Sequence, residues 1–324
     1  MKTLLRALVP IVAIVAITAA GTALAQSWPT KPIRIIGPYA AGGTNDIAAR
    51  ILAERLSQRL GQQVIVENKP GANTRIATEF VAKSAPDGYT LFLCAAPHST
   101  NPGLYEKLPY DTVKDFAPVA HIVTVPLFFL VPSASPAKNV RDLLELAKKD
   151  AAYANVGSPG NGSAPHLAIE LLNSVSGSTL AHIPYKGDAP AIQDLLGGRL
   201  GASVDPLAPA LPHIKAGKLR AISVASPQRY APLPEVPTLA EQGFRGAEAF
   251  AWFALLAPAG TSAEVVAKLN AEVNLALKQS DIVDRLLGLG MTPVGGSPEQ
   301  LGAFIRADVD KWTKLIRARN IKPD

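Results

Sequence analysis

Residues 33–71 read IRIIGPYAAGGTNDIAARILAERLSQRLGQQVIVENKPG, and three local signals in them decide the fold class. Ile33, Ile35 and Ile36 make a short apolar strand that ends at Gly37 and a small-residue loop. From Asp46 onward Ile47, Ile51, Leu52, Leu56 and Leu60 recur at helical spacing, and Gly61 stands where a left-handed residue closes a helix. Val64-Ile65-Val66 then predicts a second strand. Strand, helix and strand joined by tight connections describe a parallel pair with a helix over one face.

The same alternation continues outward. A helix over 74–85 stops at Pro86-Asp87-Gly88, a strand follows over 89–94, and 123–131 reads as a buried strand. Further on, helices are predicted at 139–149, 165–175 with Pro165 in its first turn, 189–196 ending at Gly197-Gly198, and 207–216. Strands separate them at 153–156, 179–183, 200–204 and 219–224. After an apolar stretch at 250–256 the chain reads as mostly helical, over 263–278, 281–287 and 298–319. The result is an α/β chain in two halves, with neither an internal repeat nor a low-complexity linker.

Composition agrees with this and removes other classes. The 324 residues are about twice a typical domain, 48% are hydrophobic and 18% charged, which suits two packed cores and excludes a disordered chain. The net charge of +6 is spread along the chain and aromatics are 6%, so the basic runs and stacking platforms of a nucleic-acid binder are missing. Lys2 and Arg6 precede an apolar run over 7–20, and Ala23-Leu24-Ala25 before Gln26 is an A-x-A cleavage site. Residues 1–25 are therefore expected to be a signal peptide cleaved after Ala25, delivering the chain to the periplasm. A membrane anchor is the alternative, but the run is short and no charged stop-transfer cluster follows it. Cys94 is the single cysteine, so no internal disulfide forms.

Open parallel sheets bind ligands beyond the carboxyl ends of their strands. The predicted strand-end loops are 38–46, 96–102, 157–166, 184–188 and the segment opening at Asp205. Gly42-Gly43 before a helix start can turn amide groups outward toward a carboxylate or phosphate, whereas Asp46 can either join that site or cap its own helix. Gly160-Asn161-Gly162-Ser163 before Pro165 repeats that chemistry. His98 and His166 lie on these loops, as ligand contacts or as loop braces. Enzyme signatures fail: Gly162-Ser163-Ala164-Pro165 lacks the closing glycine of a nucleophile elbow, no phosphate-binding P-loop occurs, and the five histidines have no metal spacing. No catalytic residue, metal or cofactor is expected.

Several longer segments carry a resemblance. Trp28-Pro29-Thr30-Lys31-Pro32-Ile33-Arg34 with Pro38-Tyr39-Ala40-Ala41-Gly42-Gly43 and Asp46 resembles the opening of the Bug receptors, the extracytoplasmic solute receptors of tripartite tricarboxylate transporters. Glu67-Asn68-Lys69-Pro70-Gly71-Ala72, Ala85-Pro86-Asp87-Gly88-Tyr89-Thr90-Leu91 and Pro184-Tyr185-Lys186-Gly187 extend it. So do Asp194-Leu195-Leu196-Gly197-Gly198, Ala216-Gly217-Lys218-Leu219-Arg220-Ala221 and Val236-Pro237-Thr238, over essentially the whole chain after the leader.

That resemblance implies a two-lobed periplasmic binding protein of type II topology with a ligand cleft between lobes. Lobe 1 would be 27–124 plus 252–324, and lobe 2 would be 125–251. It implies a carboxylate gripped largely through ordered waters, by Tyr39, Ala40, Gly43 and Asp46 on one jaw and Gly160, Ser163 and His166 on the other. Ser99, Tyr185 and Asp205 would line the remaining walls. Two departures bear on the ligand. Asn73-Thr74-Arg75 replaces a stretch that is often glycine-rich in the family, so Arg75 either grips a second carboxylate or faces solvent. Pro206 follows Asp205 where a polar residue is common, which favours an apolar portion in the ligand. The expected partners are a small mono- or dicarboxylate, aliphatic or aromatic, and the permease subunits of such a transporter, with the receptor a monomer. A ligand sensor docking on a membrane signalling protein, or an exported hydrolase, are the competing readings.

Overall fold

The structure is a computed structural model and describes residues 28–318, 321 and 322. The expected leader over 1–25 lies outside the described residues. Among those described, no helix is long and apolar enough to cross a membrane.

The opening unit folds as its periodicity predicts. Strand β1 (Ile33–Gly37) leads into helix α1 (Thr44–Leu60), and β2 (Val64–Asn68) returns parallel to β1. Gly61 is left-handed at φ 65°, and its N–H donates to Ser57 O, closing the helix. Helix α2 (Arg75–Ala82) then leads to β3 (Thr90–Ala95), parallel to β1 on its other side. The expected loop at 96–102 is instead mostly helix, α3 (Pro97–Leu104). Next comes the longest strand, β4 (Phe116–Pro132), which contains the buried 123–131 run and extends well before it.

The second half contains α4 (Val140–Lys149), α5 (Ala151–Ala154), β5 (Asn155–Ser158), α6 (Ala164–Ser176), β6 (Ala181–Pro184) and α7 (Asp188–Leu196). Then follow β7 (Ala202–Pro206), α8 (Leu207–Lys215) and β8 (Leu219–Val224). The chain returns on β9 (Phe250–Pro258) and ends with α9 (Ala263–Ala276), α10 (Ser280–Gly288), β10 (Thr292–Gly295) and α11 (Pro298–Ala318). Strand β10 was not expected from the sequence. It is a four-residue edge strand against β4, too short and too exposed for a period-two signal.

The sheet order is β2-β1-β3-β9-β4-β7-β5-β6, with β8 and β10 also on β4. Strand β4 changes partners along its length. Phe116 to Pro126 pair with β9, and from Leu127 onward the strand pairs with β7 and β8. One sheet therefore follows β4 up to Pro126, and another fans out beyond it. Their apolar faces join in a single core that includes Ile33, Leu93, Phe129, Ile169 and Val204, each at most 1% exposed.

Candidate functional site

The 38–43 loop is held in shape by its own neighbours. Gly42 takes φ 81°, and its N–H donates to Asp46 Oδ2 at 3.0 Å, which also accepts from Arg50 Nε at 2.9 Å. Asn68 Nδ2 braces the loop from β2 by donating to Tyr39 O at 3.0 Å. Asp46 thus spends one carboxylate oxygen on its own loop and lies only 3% exposed. The N-cap of α1 is Gly43, which offers no capping side chain.

On the facing side, Ser163 caps α6 by accepting the His166 N–H at 3.3 Å. His166 Nδ1 accepts the N–H of Gly162, a glycine at φ 64°, so the ring braces the 159–162 loop. It stacks on His182 at 3.9 Å. Burial, and then the neighbouring His166, push the His182 pKa down to about 2, which keeps that ring neutral at physiological pH.

The loops of the two halves touch. Ala40 N–H donates to Lys186 O at 2.9 Å, and Thr100 Oγ1 donates to Gly162 O at 2.7 Å. Asp188, at the start of α7, accepts Thr44 N–H at 2.9 Å and the Thr44 hydroxyl. A carboxylate from the second half therefore supplies the N-cap that Gly43 lacks, at the positive end of the α1 dipole.

Two spaces lie between these loops. The outer is a cavity of about 530 Å³ walled by Tyr39, Arg75, Tyr105, Gly160, Tyr185 and Lys186, among others. The inner, of about 20 Å³, is walled by Tyr39, Asn45, Pro159, Ser163 and Asp188, among others. Tyr39 and Pro159 border both. Arg75 thus stands on the cavity wall, with its guanidinium 4.1 Å from the Tyr105 ring and Nε donating to Ala72 O at 3.0 Å. The backbone before it is left-handed at three successive residues, Ala72, Asn73 and Thr74, with φ 47°, 50° and 64°. Glycines would adopt this turn at little cost; here each residue is strained by about 1–3 kcal/mol. Asn73 and Asn101 hold the turn, Nδ2 to Oδ1 at 2.6 Å and Nδ2 to the Asn73 carbonyl at 3.0 Å.

The remaining residues singled out from sequence take several positions. Tyr185 donates its hydroxyl to Asp194 at 2.8 Å while its body lines the outer cavity. Ser99 is fully buried on α3 and faces Asp308 of α11, away from both spaces. His98 is also buried there, edge-on to Phe116 at 4.9 Å. Burial lowers its pKa to about 4, so it is neutral. Asp188, Asn45, Thr44 and Thr100 were not singled out. All four lie in the strand-end loops read from sequence, at 38–46, 96–102 and 184–188, but no local pattern set them apart from their neighbours.

Asp205 ends β7 with no exposed surface and accepts the Ser203 hydroxyl. Burial, then the charge of Asp188, raise its carboxyl well above the ordinary value of 3.8. A carboxyl whose folded pKa exceeds its unfolded one favours folding when protonated, and that advantage fades as pH rises from the unfolded value through the folded one. Asp205→Asn mimics the protonated form. We expect it to raise Tm at pH 7.5 by about 2–4 °C, the shift of ~1 kcal/mol in a chain somewhat smaller than this. The gain should vanish near pH 3. Melting curves at both pH values check this, and an equal shift at both would remove the titration argument.

Glycine-bearing loops at strand ends, closing from two sheets over a cavity with two cations on its wall, define a two-lobed binding protein of the periplasmic type. The chain matches the tripartite tricarboxylate transporter family receptor, TctC, over residues 48–321, and it belongs to that family. BugT of Bordetella pertussis is 36% identical over 300 residues, covering 92% of each chain. An R. palustris protein solved with adipate is 35% identical, with a TM-score of 0.88 over 92% of this chain and all of its own. MatC from Rhodopseudomonas palustris, solved with bound malate, is 32% identical, with a TM-score of 0.84 over 89% of this chain and all of its own. The chain is accordingly a solute-binding receptor of the Bug type.

Proposed function

We propose that this receptor captures an organic carboxylate in the outer cavity and delivers it to the membrane permease of a tripartite tricarboxylate-type transporter. The observation that carries the reading is the placement of Arg75 and Lys186 on the wall of a cavity closed by both sets of loops. A carboxylate beside them meets a guanidinium already positioned by Tyr105, opposite the 159–162 loop. Ordered waters on the Tyr39 and Gly160 sides complete its hydrogen bonds nearly as well as direct contacts. The relatives solved with adipate and malate support the ligand class.

The lobes divide at 27–124 plus 252–324 and 125–251, a reading supported by the change of β4 partners after Pro126 and the start of β9 opposite it. Closure of one lobe on the other reports the bound state, because a membrane partner can select the closed form only if ligand favours it. The receptor acts in the periplasm as a monomer after removal of residues 1–25.

Thermal shift with mono-, di- and aromatic carboxylates tests capture. A ligand at a hundredfold excess over Kd adds about 2.7 kcal/mol of stability. Silence across the panel would overturn the ligand class. Uptake of the bound acid by cells with and without the gene tests delivery, and unchanged uptake would favour a sensor. Turnover of the bound acid would favour a hydrolase. Arg75→Ala should weaken carboxylate binding about 10–100-fold, the loss of one charge-assisted pair. Its Tm without ligand should change by little, since the side chain is partly exposed. Calorimetric titration checks the affinity, and an unchanged Kd would move the carboxylate away from this wall.

A further inference from the structure

From Phe250 onward, successive residues of β9 serve opposite sides of the crossing between the two halves. Ala251 and Phe253 line the inner space of the cleft, whereas Phe250 lines a separate hollow of about 520 Å³ behind it. Val125 and Pro126, where β4 changes partners, line the same hollow. One wall is the proline-bearing loop 226–232 of the second half, and the other is Leu287 and Thr292 of the C-terminal part. Cleft and hollow therefore lie on opposite sides of the strands that join the lobes.

Each wall is fastened to its own lobe. Arg229 Nε donates to both Glu241 carboxylate oxygens, at 3.0 and 2.9 Å, and Nη1 donates to Pro234 O at 2.8 Å, which fixes the 226–232 loop to the second half. Leu287 stands near the end of α10, which is tied to α1 by Arg285–Glu54 at 2.9 Å and by Arg55–Asp281. The Tyr230 hydroxyl reaches across and donates to Leu287 O, with its ring edge-on to Phe128 at 5.8 Å. Beside that bond the apolar surface is uncovered: Phe250 is 43% and Leu287 38% exposed. A motion that covers such surface is favoured by the water it releases.

We infer that this hollow is the counterweight of the cleft: opening the cleft swings the two walls of the hollow together, and the apolar surface they cover holds the solute-free receptor open. This rests on the two-lobed receptor reading above and adds what sets the resting position of the lobes. In this structure the cleft loops touch and the hollow stands wide. A rotation about β4 and β9 that parts Ala40 from Lys186 on one side brings loop 226–232 toward Leu287 and Thr292 on the other. The hollow is thus filled by its own opposite wall, and Phe250 and Leu287 are covered as it narrows. Solute affinity is reduced by whatever fraction of the receptor rests open, because only the closed form grips solute with both jaws.

The test is a wedge. Thr292→Trp and Ala231→Trp set an indole in the hollow from either wall, both at exposed positions where the ring displaces no core. With the walls held apart, each variant should bind a carboxylate that stabilises the parent about tenfold tighter, the gain when a closed form of roughly one molecule in ten becomes the dominant one. Small-angle scattering without solute should show both variants more compact than the parent. Leu287→Ser removes apolar surface from one wall and should tighten binding by a smaller factor. Leu275→Trp, at an exposed position of α9 outside the hollow, should match the parent in affinity and in scattering. Wedged variants that bind no tighter, or that scatter like the parent, would overturn the inference, as would tighter binding shared by Leu275→Trp or weaker binding by Leu287→Ser. If no carboxylate binds the parent, the receptor reading fails, and scattering alone decides this one: wedged variants no more compact than the parent would overturn it as well.

Discussion

Gly43→Val abolishes solute binding, with Kd raised at least about a hundredfold, and leaves the fold intact. Gly43 has φ −80° and ψ 170°, a conformation that valine adopts readily, so the backbone of the 38–43 loop is not strained by the change. The effect is steric and lies across the cleft: a Cβ at this position would come 2.1 Å from Asp188 Oδ1. That carboxylate has little room to retreat, because it is held on Thr44 at the start of α1. The jaws then stop short of contact, and the Ala40–Lys186 and Thr100–Gly162 bonds fail with them. Far-ultraviolet circular dichroism should match the parent, while calorimetry with a solute that stabilises the parent should show no binding. Adding Asp188→Gly removes the obstructing carboxylate, and small-angle scattering should show the double variant regaining the compact form. A single variant that binds like the parent would place the cleft elsewhere.

Phe129→Ala is expected to have the largest effect on stability. Phe129 is fully buried in the core shared by the two sheets, and it sits in β4 opposite Val204 of β7 and Ser223 of β8. Deleting a buried phenylalanine side chain costs about 3–5 kcal/mol in lost transfer free energy and residual cavity. In a chain of this size that lowers Tm by about 10 °C. Because the ring packs in a core common to both halves, the loss should appear in one transition. Differential scanning calorimetry reads it directly. A variant within about 2 °C of the parent would mean that the surrounding core collapses to fill the space.

Much of this was legible in residue order. The β1–α1–β2 unit is carried by one periodic stretch and one closing glycine, and neither depends on distant contacts. Residues 96–102 read as a loop because the prolines, serine and asparagine there favour turns. Tertiary packing overrides that preference: Leu104 clusters with Trp312 and Ile316 of α11, and Gly103 lies so close that a Cβ would be 3.0 Å from Thr313 Cα. Ser99, which the resemblance places on a wall of the expected site, lies on this helix beside Asp308.

Within the site, the glycine-bearing loops were visible because turn chemistry is local. Arg75 could be named from sequence but not oriented, since its position follows from the left-handed run before it and from Tyr105. Asp188 was the larger omission. Its role depends on Thr44, 144 residues earlier, and no local pattern reports a pairing across that distance.

The partner order of β4 also governs how the chain can be assembled. The sheet begun by β1, β2 and β3 lacks its inner neighbour until β9 arrives at Phe250–Pro258, and α11 covers α3 only after Pro298. A growing or threading chain therefore carries one backbone edge of β3 unpaired for about half its length. Contacts of such long sequence separation slow folding. The sheet begun by β1 can therefore be completed only after β9 has emerged, and α3 gains its cover from α11 later still.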